Sequence, residues 1–169
     1  QIDSSVLPRV FGLFFNQNVN QLFTDKIITN AINQAIDKNK IIRDVFYGYG
    51  LVIDSPIPPN IIAEKQTTED TNTTREEILQ KVQNNLAKDG WKKGVGGFLE
   101  KTVTKNKKKI TTQLAFSIST SNAPELTKTA ELIQQDLAEV GIKVDVRTFE
   151  IGNLNQNVIR PRKYDALLF

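Results

Sequence analysis

Residues 110–149 read ITTQLAFSISTSNAPELTKTAELIQQDLAEVGIKVDVRTF, and the fold class follows from their pattern. Apolar and polar residues alternate over residues 110–118, which predicts a strand. We expect Asn122 to cap the helix that follows and Gly141 to end it. The apolar stripe of this helix comprises Leu126, Ala130, Ile133, Leu137 and Val140. Residues 142–149 alternate again, so a βαβ unit with two neighbouring parallel strands is predicted.

The segments on either side of this unit predict further strands. Residues 9–16 (RVFGLFFN) alternate as a strand, and residues 164–169 (YDALLF) predict another, with a short helix over residues 152–160. In the first strand Phe11, Leu13 and Phe15 lie on one face and Gly12, Phe14 and Asn16 on the other, which is the more mixed face. We therefore predict an α/β fold, with a mixed sheet, a βαβ unit and flanking helices.

Helical spacing of apolar residues predicts helices between the first strand and the βαβ unit. Residues 25–46 form two short helices, or one helix bent near residues 38–40, ending at Gly48. Three prolines make residues 49–60 a stiff, extended loop, and the polar residues 64–74 are expected to be a surface connection. Thr74 and Glu77 then form a capping box. This helix is expected to stop at Gly90, with Trp91 folding back on Leu86.

Composition limits the classes of protein to which the chain can belong. Its 169 residues are 39% hydrophobic and 24% charged, with a formal net charge of +3, which is typical of one soluble globular domain over residues 1–169. With no Cys and no His, thiol catalysis, imidazole general-base catalysis and zinc fingers are excluded. The chain begins with Gln1 and has no Met, so we expect a processed protein or a piece of a longer one.

One dense basic run stands out, KNKKK at residues 105–109, between two strand-like runs. A solvated hairpin turn is the expected structure at this position. A phosphate-binding patch is the alternative, although the interleaved aromatic residues of a nucleic-acid surface are not beside it.

No motif of the sequence predicts catalysis or a bound cofactor or metal. The glycines of GVGG at residues 94–97 lack the Lys and Ser/Thr of a phosphate loop and predict a turn. The carboxylates of Glu76, Glu77, Asp136 and Glu139 fall on the polar faces of amphipathic helices, where solvated charge is the default. An α/β enzyme fragment or a nucleic-acid-binding module on the same scaffold is the alternative.

Four motifs in order resemble the solute-binding proteins of peptide-type ABC importers, the oligopeptide- and dipeptide-binding family. A strand ends in Asn16, and DKIITNAINQAIDKNKIIRDVFYG follows at residues 25–48, then SPIPP at residues 55–59. Later come LAEVGIKVDVRTFE at residues 137–150 and YDALLF. The resemblance covers residues 9–169, although Thr29 stands where the family usually has Arg.

This resemblance implies part of the C-terminal lobe of a two-lobed, periplasmic-binding-protein-like clamshell. The other lobe of the same polypeptide is absent, and the chain stops at Phe169, where similar proteins continue into a segment that often holds ligand. The implied function is non-enzymatic and extracytoplasmic, in a periplasmic or cell-surface protein that is lipid-anchored at full length. Such a protein captures a peptide or another small solute between its lobes and delivers it to a membrane permease. The resemblance implies neither a cofactor nor a nucleic acid.

The ligand-facing edge is expected to involve the mixed face of the first strand, the start of the stiff loop and the end of the last strand. The predicted site residues are Gly12, Phe14, Asn16, Tyr49, Leu168 and Phe169. Asn16 is the best single candidate, because a polar residue that ends an apolar strand needs a hydrogen-bond partner or solvent. We expect the six residues to be unusually exposed, as an apolar patch.

Overall fold

The computed structural model describes residues 9–53, 73–105 and 107–169. The first elements are β1 (Leu13–Phe15), a 3-10 turn (Gln21–Thr24), α1 (Lys26–Ala35), α2 (Lys38–Val45), α3 (Arg75–Lys88), β2 (Lys92–Lys93), β3 (Leu99–Lys105) and β4 (Lys108–Gln113). The later elements are β5 (Ala115–Ser121), α4 (Pro124–Glu139), β6 (Lys143–Phe149), α5 (Ile151–Asn153), a π-helix (Leu154–Ile159) and β7 (Ala166–Leu168).

The main sheet is mixed and has the strand order β1-β7-β5-β6. Strands β5 and β6 are parallel, with Phe116 opposite Val144 and Ser119 opposite Arg147, and α4 is the crossover helix between them. Strand β7 is parallel to β5 and antiparallel to β1. The predicted βαβ unit and the mixed α/β sheet are confirmed.

The prediction of one strand over residues 110–118 is wrong. Ile110 and Thr112 belong to β4, in a separate three-stranded sheet of order β2-β3-β4, and Ile118 belongs to β5. The chain leaves the smaller sheet at Leu114, whose N–H donates to the Leu99 carbonyl at 2.7 Å and whose carbonyl accepts from Lys143 at 3.0 Å. Apolar and polar residues alternate through both strands without a break. The alternation indicates a strand, but it does not indicate which sheet that strand joins.

The main core lies on the sheet face that α1, α3 and α4 cover. Phe116, Ile118 and Val144 are buried on this face, where they meet the α4 stripe. All five predicted residues of the stripe are buried, namely Leu126, Ala130, Ile133, Leu137 and Val140. The amphipathic pattern of α4 was therefore a sound guide to its buried side.

The expected cap of α4 at Asn122 is wrong, because Ala123 is the N-cap residue and Pro124 occupies the first turn. Proline suits that position, where its missing N–H has no intrahelical partner to lose. Asn122 instead donates its backbone N–H to the Phe149 carbonyl at 2.8 Å, which ties it to the end of β6. The helix ends as predicted at Gly141, which has a positive φ of 83°.

The predicted start and end of α3 are confirmed. Thr74 and Glu77 form both hydrogen bonds of the capping box, at 3.3 and 2.8 Å. Gly90 has a φ of 92°, and the Trp91 N–H donates to the Leu86 carbonyl at 3.1 Å, which is the longer bond of a Schellman motif. Trp91 and Leu86 are both buried.

Of the two arrangements expected for residues 25–46, the structure has two separate helices. Asp25 caps α1 and Asp37 caps α2 through their side chains. After α2, left-handed backbone begins at Tyr47, with φ 53°, one residue before the predicted Gly48. Most of the predicted stiff loop and of the polar connection lies outside the described residues.

Three predicted elements have different bounds in the structure. The strand of residues 9–16 is reduced to Leu13–Phe15, and that of residues 164–169 to Ala166–Leu168. The short helix of residues 152–160 forms as α5 followed by a π-helix. The π-helix places Leu154 and Val158 on Leu167, on the sheet face opposite the main core.

Candidate functional site

The first feature of the site is a pair of residues that extends the β1–β7 ladder. Gly12 donates to the Phe169 carbonyl at 2.9 Å, and Phe169 donates to the Gly12 carbonyl at 3.1 Å. In an antiparallel ladder, residues directly opposite each other point to the same face. Because Phe14 is opposite Leu167, the residues Gly12, Phe14 and Phe169 share the face away from the main core.

Two aromatic rings are exposed on this face. Phe14 is 55% exposed and Phe169 is 48% exposed. They are diagonal neighbours across the two strands, a spacing at which long side chains reach each other. We call Gly12, Phe14 and Phe169 the aromatic patch.

The glycine of the aromatic patch gives the Phe14 ring its position. A Cβ at Gly12 would lie 3.2 Å from two atoms of that ring, which is closer than an ordinary contact. Any larger residue at position 12 therefore requires the Phe14 ring to shift. The local sequence GLF thus lets the Phe14 ring lie close to the backbone of Gly12 while the side chain stays about half exposed.

The aromatic patch lies at the carboxyl-terminal end of the parallel strands. Ser119 is opposite Leu167, so Phe169 is level with Ser121, the last residue of β5. In open α/β sheets, ligands bind at the carboxyl ends of the strands. The patch therefore occupies the edge at which this class of fold places ligand sites.

Tyr49, another of the predicted site residues, is 84% exposed. Its backbone N–H donates to the Phe46 carbonyl at 2.8 Å, and the Phe46 ring lies 5.0 Å from the Phe11 ring. Phe11 directly precedes Gly12, so Tyr49 is tied to the start of β1 through one helix end.

Sequence reasoning missed Tyr47, which is also 84% exposed. A bulky residue with positive φ is unusual, and such backbone is enriched at functional sites. No sequence signal marks Tyr47, because glycine, not tyrosine, is the expected residue in left-handed backbone. The helix end was predicted at Gly48 because a glycine occupies that position.

Asn16 and Leu168 are placed differently from the aromatic patch. Asn16 is at the opposite end of β1, where its side-chain amide donates to the Arg162 carbonyl at 2.9 Å. The strand end thus supplies the hydrogen-bond partner that Asn16 was expected to need. The expectation of exposure is wrong for Leu168, which is 3% exposed, because this residue of β7 faces the main core.

The sheet face of the aromatic patch also carries a row of polar residues. This row includes an aspartate that was not among the predicted site residues. Asp165 accepts two hydrogen bonds of 2.8 Å at one carboxylate oxygen, from the backbone N–H and the hydroxyl of Ser117. Ser119 and Ser121 continue the row and are buried. The aspartate of YDALLF therefore fixes the start of β7 to β5.

Two surface grooves are found among the described residues, and neither coincides with the predicted site. An open groove of about 520 Å³ lies between the 3-10 turn, α1 and β4, and another of about 410 Å³ lies between α1 and α3. In the second groove Asp89 is already bound to Trp91 and Lys101. We place the candidate site at the aromatic patch, since neither groove joins exposed aromatic residues to the carboxyl ends of the strands.

Residues 9–53, 73–105 and 107–169 contain neither a metal site nor a membrane-spanning helix. No group of three or more acidic, His or Cys side chains is placed to hold a metal ion in this part of the chain. None of the helices there is long and apolar enough to cross a membrane.

A family model matches nearly the whole chain. The model described as "Bacterial extracellular solute-binding proteins, family 5 Middle" matches residues 2–169. The match includes β1, the βαβ unit and β7, and therefore every residue of the aromatic patch.

Individual relatives agree with the family match. The chain is 27% identical over 153 residues to the oligopeptide-binding protein AppA of Bacillus subtilis (strain 168). A solved structure of AppA in complex with a nonapeptide matches with a TM-score of 0.70 and 25% identity, covering 94% of this chain and 30% of that one. A nickel ABC transporter structure from Bacillus halodurans matches with a TM-score of 0.71 and 20% identity, covering 98% of this chain and 31% of that one.

These relatives are much longer than the chain. The AppA alignment covers 88% of this chain and 26% of AppA. The chain thus spans about a quarter of the length of that curated relative.

Proposed function

Because this chain belongs to the bacterial extracellular solute-binding proteins of family 5, we propose that it forms one wall of a solute-binding cleft. The observation that carries the proposal is the aromatic patch within the matched region, with Phe14 and Phe169 about half exposed at the carboxyl edge of the sheet. Large exposed apolar groups at one place mark a surface that a ligand or another part of the protein covers.

The complete protein, in this proposal, is the extracytoplasmic receptor of an ABC importer. A second lobe of the same polypeptide closes over the solute, and ligand binding shifts the open and closed populations. The receptor then delivers the solute to a membrane permease. We further propose that it is held at the membrane by a lipid anchor, and that it catalyses no reaction.

A peptide is the solute class that we propose. The support is the 27% identity to a protein named for oligopeptide binding, together with the match to its nonapeptide complex. Aromatic rings suit this solute because they provide apolar contact area and a face for peptide side chains. Tyr49 is proposed as a further contact at the same edge.

The test uses the full-length protein and a double variant, Phe14→Ala with Phe169→Ala. Loss of both rings is expected to weaken the binding of a retained peptide about tenfold or more by calorimetry, since a buried aromatic contact contributes roughly 1 kcal/mol or more. The matched control is Val19→Ala with Val95→Ala, which also removes two exposed apolar side chains, at 54% and 101% exposure, but away from the patch. Equal affinity of the two double variants would exclude the aromatic patch as the binding wall.

A further inference from the structure

The hairpin of β3 and β4 carries a charge that the proposed solute cleft does not use. Residues 99–113 contain five lysines and one glutamate, a formal charge of +4, whereas the whole chain carries +3. The remaining residues together therefore carry −1. The positive excess of the chain is confined to this one hairpin.

The free lysines of the hairpin are at its tip. Lys107, Lys108 and Lys109 are exposed, and within the described part of the chain they form no ion pair. Lys101, nearer the base, is already bound to Asp89 at 2.9 Å. The lysines of the tip are thus available to an external partner, and we call Lys107, Lys108 and Lys109 the basic tip.

An exposed apolar pair accompanies the basic tip. Val103 and Ile110 are directly opposite each other in the β3–β4 ladder, at 48% and 47% exposure. Lys108, two residues before Ile110 in β4, is on the same face of the hairpin, nearer the tip. One face of the hairpin therefore combines aliphatic side chains with positive charge, which is typical of surfaces that bind at the boundary of a lipid bilayer.

The residue types favour a diffuse anionic surface over a single phosphate or a nucleic acid. Every cation of the hairpin is lysine, a compact point charge on a flexible stem, and none is arginine, which binds one phosphate through two hydrogen bonds. No aromatic residue lies between Leu99 and Gln113 to stack on a base.

The hairpin is also placed away from the aromatic patch. Its base joins the amino ends of β5 and β6, where Leu114 bonds to Leu99 and Lys143. The patch is level with the other end of β5, a strand of seven residues that spans about 23 Å. A partner that binds at the base or the tip of the hairpin need not cover the aromatic patch.

We propose that the β3–β4 hairpin docks the protein on the surface of an anionic lipid bilayer. The basic tip contacts the headgroups, and Val103 and Ile110 enter the boundary between headgroups and acyl chains. Docking in this way is independent of solute binding, and it holds the receptor at the membrane with the aromatic patch uncovered.

The test is sedimentation of the whole chain with vesicles of phosphatidylcholine, alone or mixed with phosphatidylglycerol. Binding to the anionic vesicles only is expected, and it should fall when salt is raised, since the screening length shortens from about 10 Å at 0.1 M to about 3 Å at 1 M. The variant Lys107→Gln, Lys108→Gln, Lys109→Gln is expected to bind roughly 100-fold more weakly, because each lysine near such a surface contributes about fivefold. Ile110→Thr, which keeps a β-branched residue in the exposed position, is expected to reduce binding a few-fold.

A control with the same change in net charge separates the hairpin from charge in general. The variant Lys26→Gln, Lys81→Gln, Lys163→Gln removes three exposed lysines from α1, α3 and the loop before β7. The proposal is overturned if this control loses as much binding as the basic-tip variant, or if the unaltered chain does not bind anionic vesicles. Equally tight binding to a soluble acidic protein or to single-stranded DNA would also overturn it. None of these outcomes bears on solute binding, which is measured separately.

Discussion

The backbone N–H of Asp37 donates a 2.9 Å hydrogen bond to the carboxylate of Asp136, a residue that is only 1% exposed. The same carboxylate lies 3.3 Å from the Lys40 ammonium and 3.5 Å from the Arg75 guanidinium. Asp136 belongs to α4, Lys40 to α2 and Arg75 to α3, so one buried side chain joins three helices and holds the break between α1 and α2.

Removal of the Asp136 side chain is expected to destabilise the protein strongly. Asp136→Ala leaves two cations and one backbone N–H without their buried acceptor, and breaking such a pair costs about 3–5 kcal/mol. Urea unfolding would measure the change in the free energy of unfolding. Asp145→Ala is the matched control, because Asp145 is 63% exposed and paired with Arg147, and its loss is expected to cost at most about 1 kcal/mol. Similar losses for the two variants would contradict the role given to Asp136.

Asp165 is expected to hold β7 in the main sheet. Asp165→Ala leaves the N–H and the hydroxyl of Ser117 without their common acceptor, at a cost of about 1–3 kcal/mol. Ser117→Ala is expected to cost less, because the backbone N–H keeps its partner. Hydrogen exchange of the β7 amides would show the local effect. If Ser117→Ala is the more harmful change, the backbone bond is not what holds the strand.

The two glycines that end α3 and α4 allow a prediction about close packing. Gly90 and Gly141 both have positive φ, so alanine at either position costs about 1–2 kcal/mol through the backbone alone. At Gly141 the added Cβ would also lie 3.0 Å from Cγ of Leu99, whereas at Gly90 the nearest atom is 3.7 Å away, in the Lys101 side chain. Gly141→Ala is therefore expected to lower the melting temperature more than Gly90→Ala, as calorimetry would measure. Gly152→Ala, with open space at its Cβ, is the neutral control. A larger loss at Gly90 would contradict the packing described at Leu99.

The chain on its own is expected to bind peptide more weakly than the full-length protein. One wall of a cleft buries only part of the ligand surface that a complete binding site covers. Titration calorimetry of the chain with peptides retained by the full-length protein measures this difference. Peptide affinity of the chain equal to that of the full-length protein would contradict the two-lobed cleft, and measured hydrolase or transferase activity would contradict the proposed absence of catalysis.

The sequence predicted the elements whose cause is local. Residues 124–139 show an apolar stripe at helical spacing, and Thr74 and Glu77 show a capping box, because both patterns arise within one helix. Glycine marked both Schellman ends because few other residues accept left-handed backbone. The parallel pairing of β5 and β6 followed from the length and single stripe of the connecting helix.

Tertiary relationships were not predictable in the same way. The division of residues 110–118 between two sheets depends on the bonds that Leu114 forms with Leu99 and Lys143, which are distant in sequence. Asp136 was assigned to a solvated helix face, although Lys40 and Arg75 bury it. It borders the apolar stripe, three residues after Ile133 and four before Val140, but its charge favoured the solvated face, and its partners on two other helices are distant in sequence.

The candidate site was predictable in part for the same reason. Strand alternation placed Gly12 and Phe14 on one face, and the exposure of Phe14, Tyr49 and Phe169 agrees with the expectation of an apolar patch. The inward direction of Leu168 and the long-range bond of Asn16 to Arg162 depend on the β1–β7 register. Whether any of these residues contacts a solute stays a prediction.

The most direct test of that prediction is a crystal structure of the full-length protein with the solute that it retains on purification. We predict a peptide in a cleft between two lobes, with its atoms within about 4.5 Å of the Phe14 or Phe169 ring, the distance of an apolar contact. A retained solute that contacts neither ring nor Tyr49 would contradict the central claim that this chain forms a wall of the solute-binding cleft.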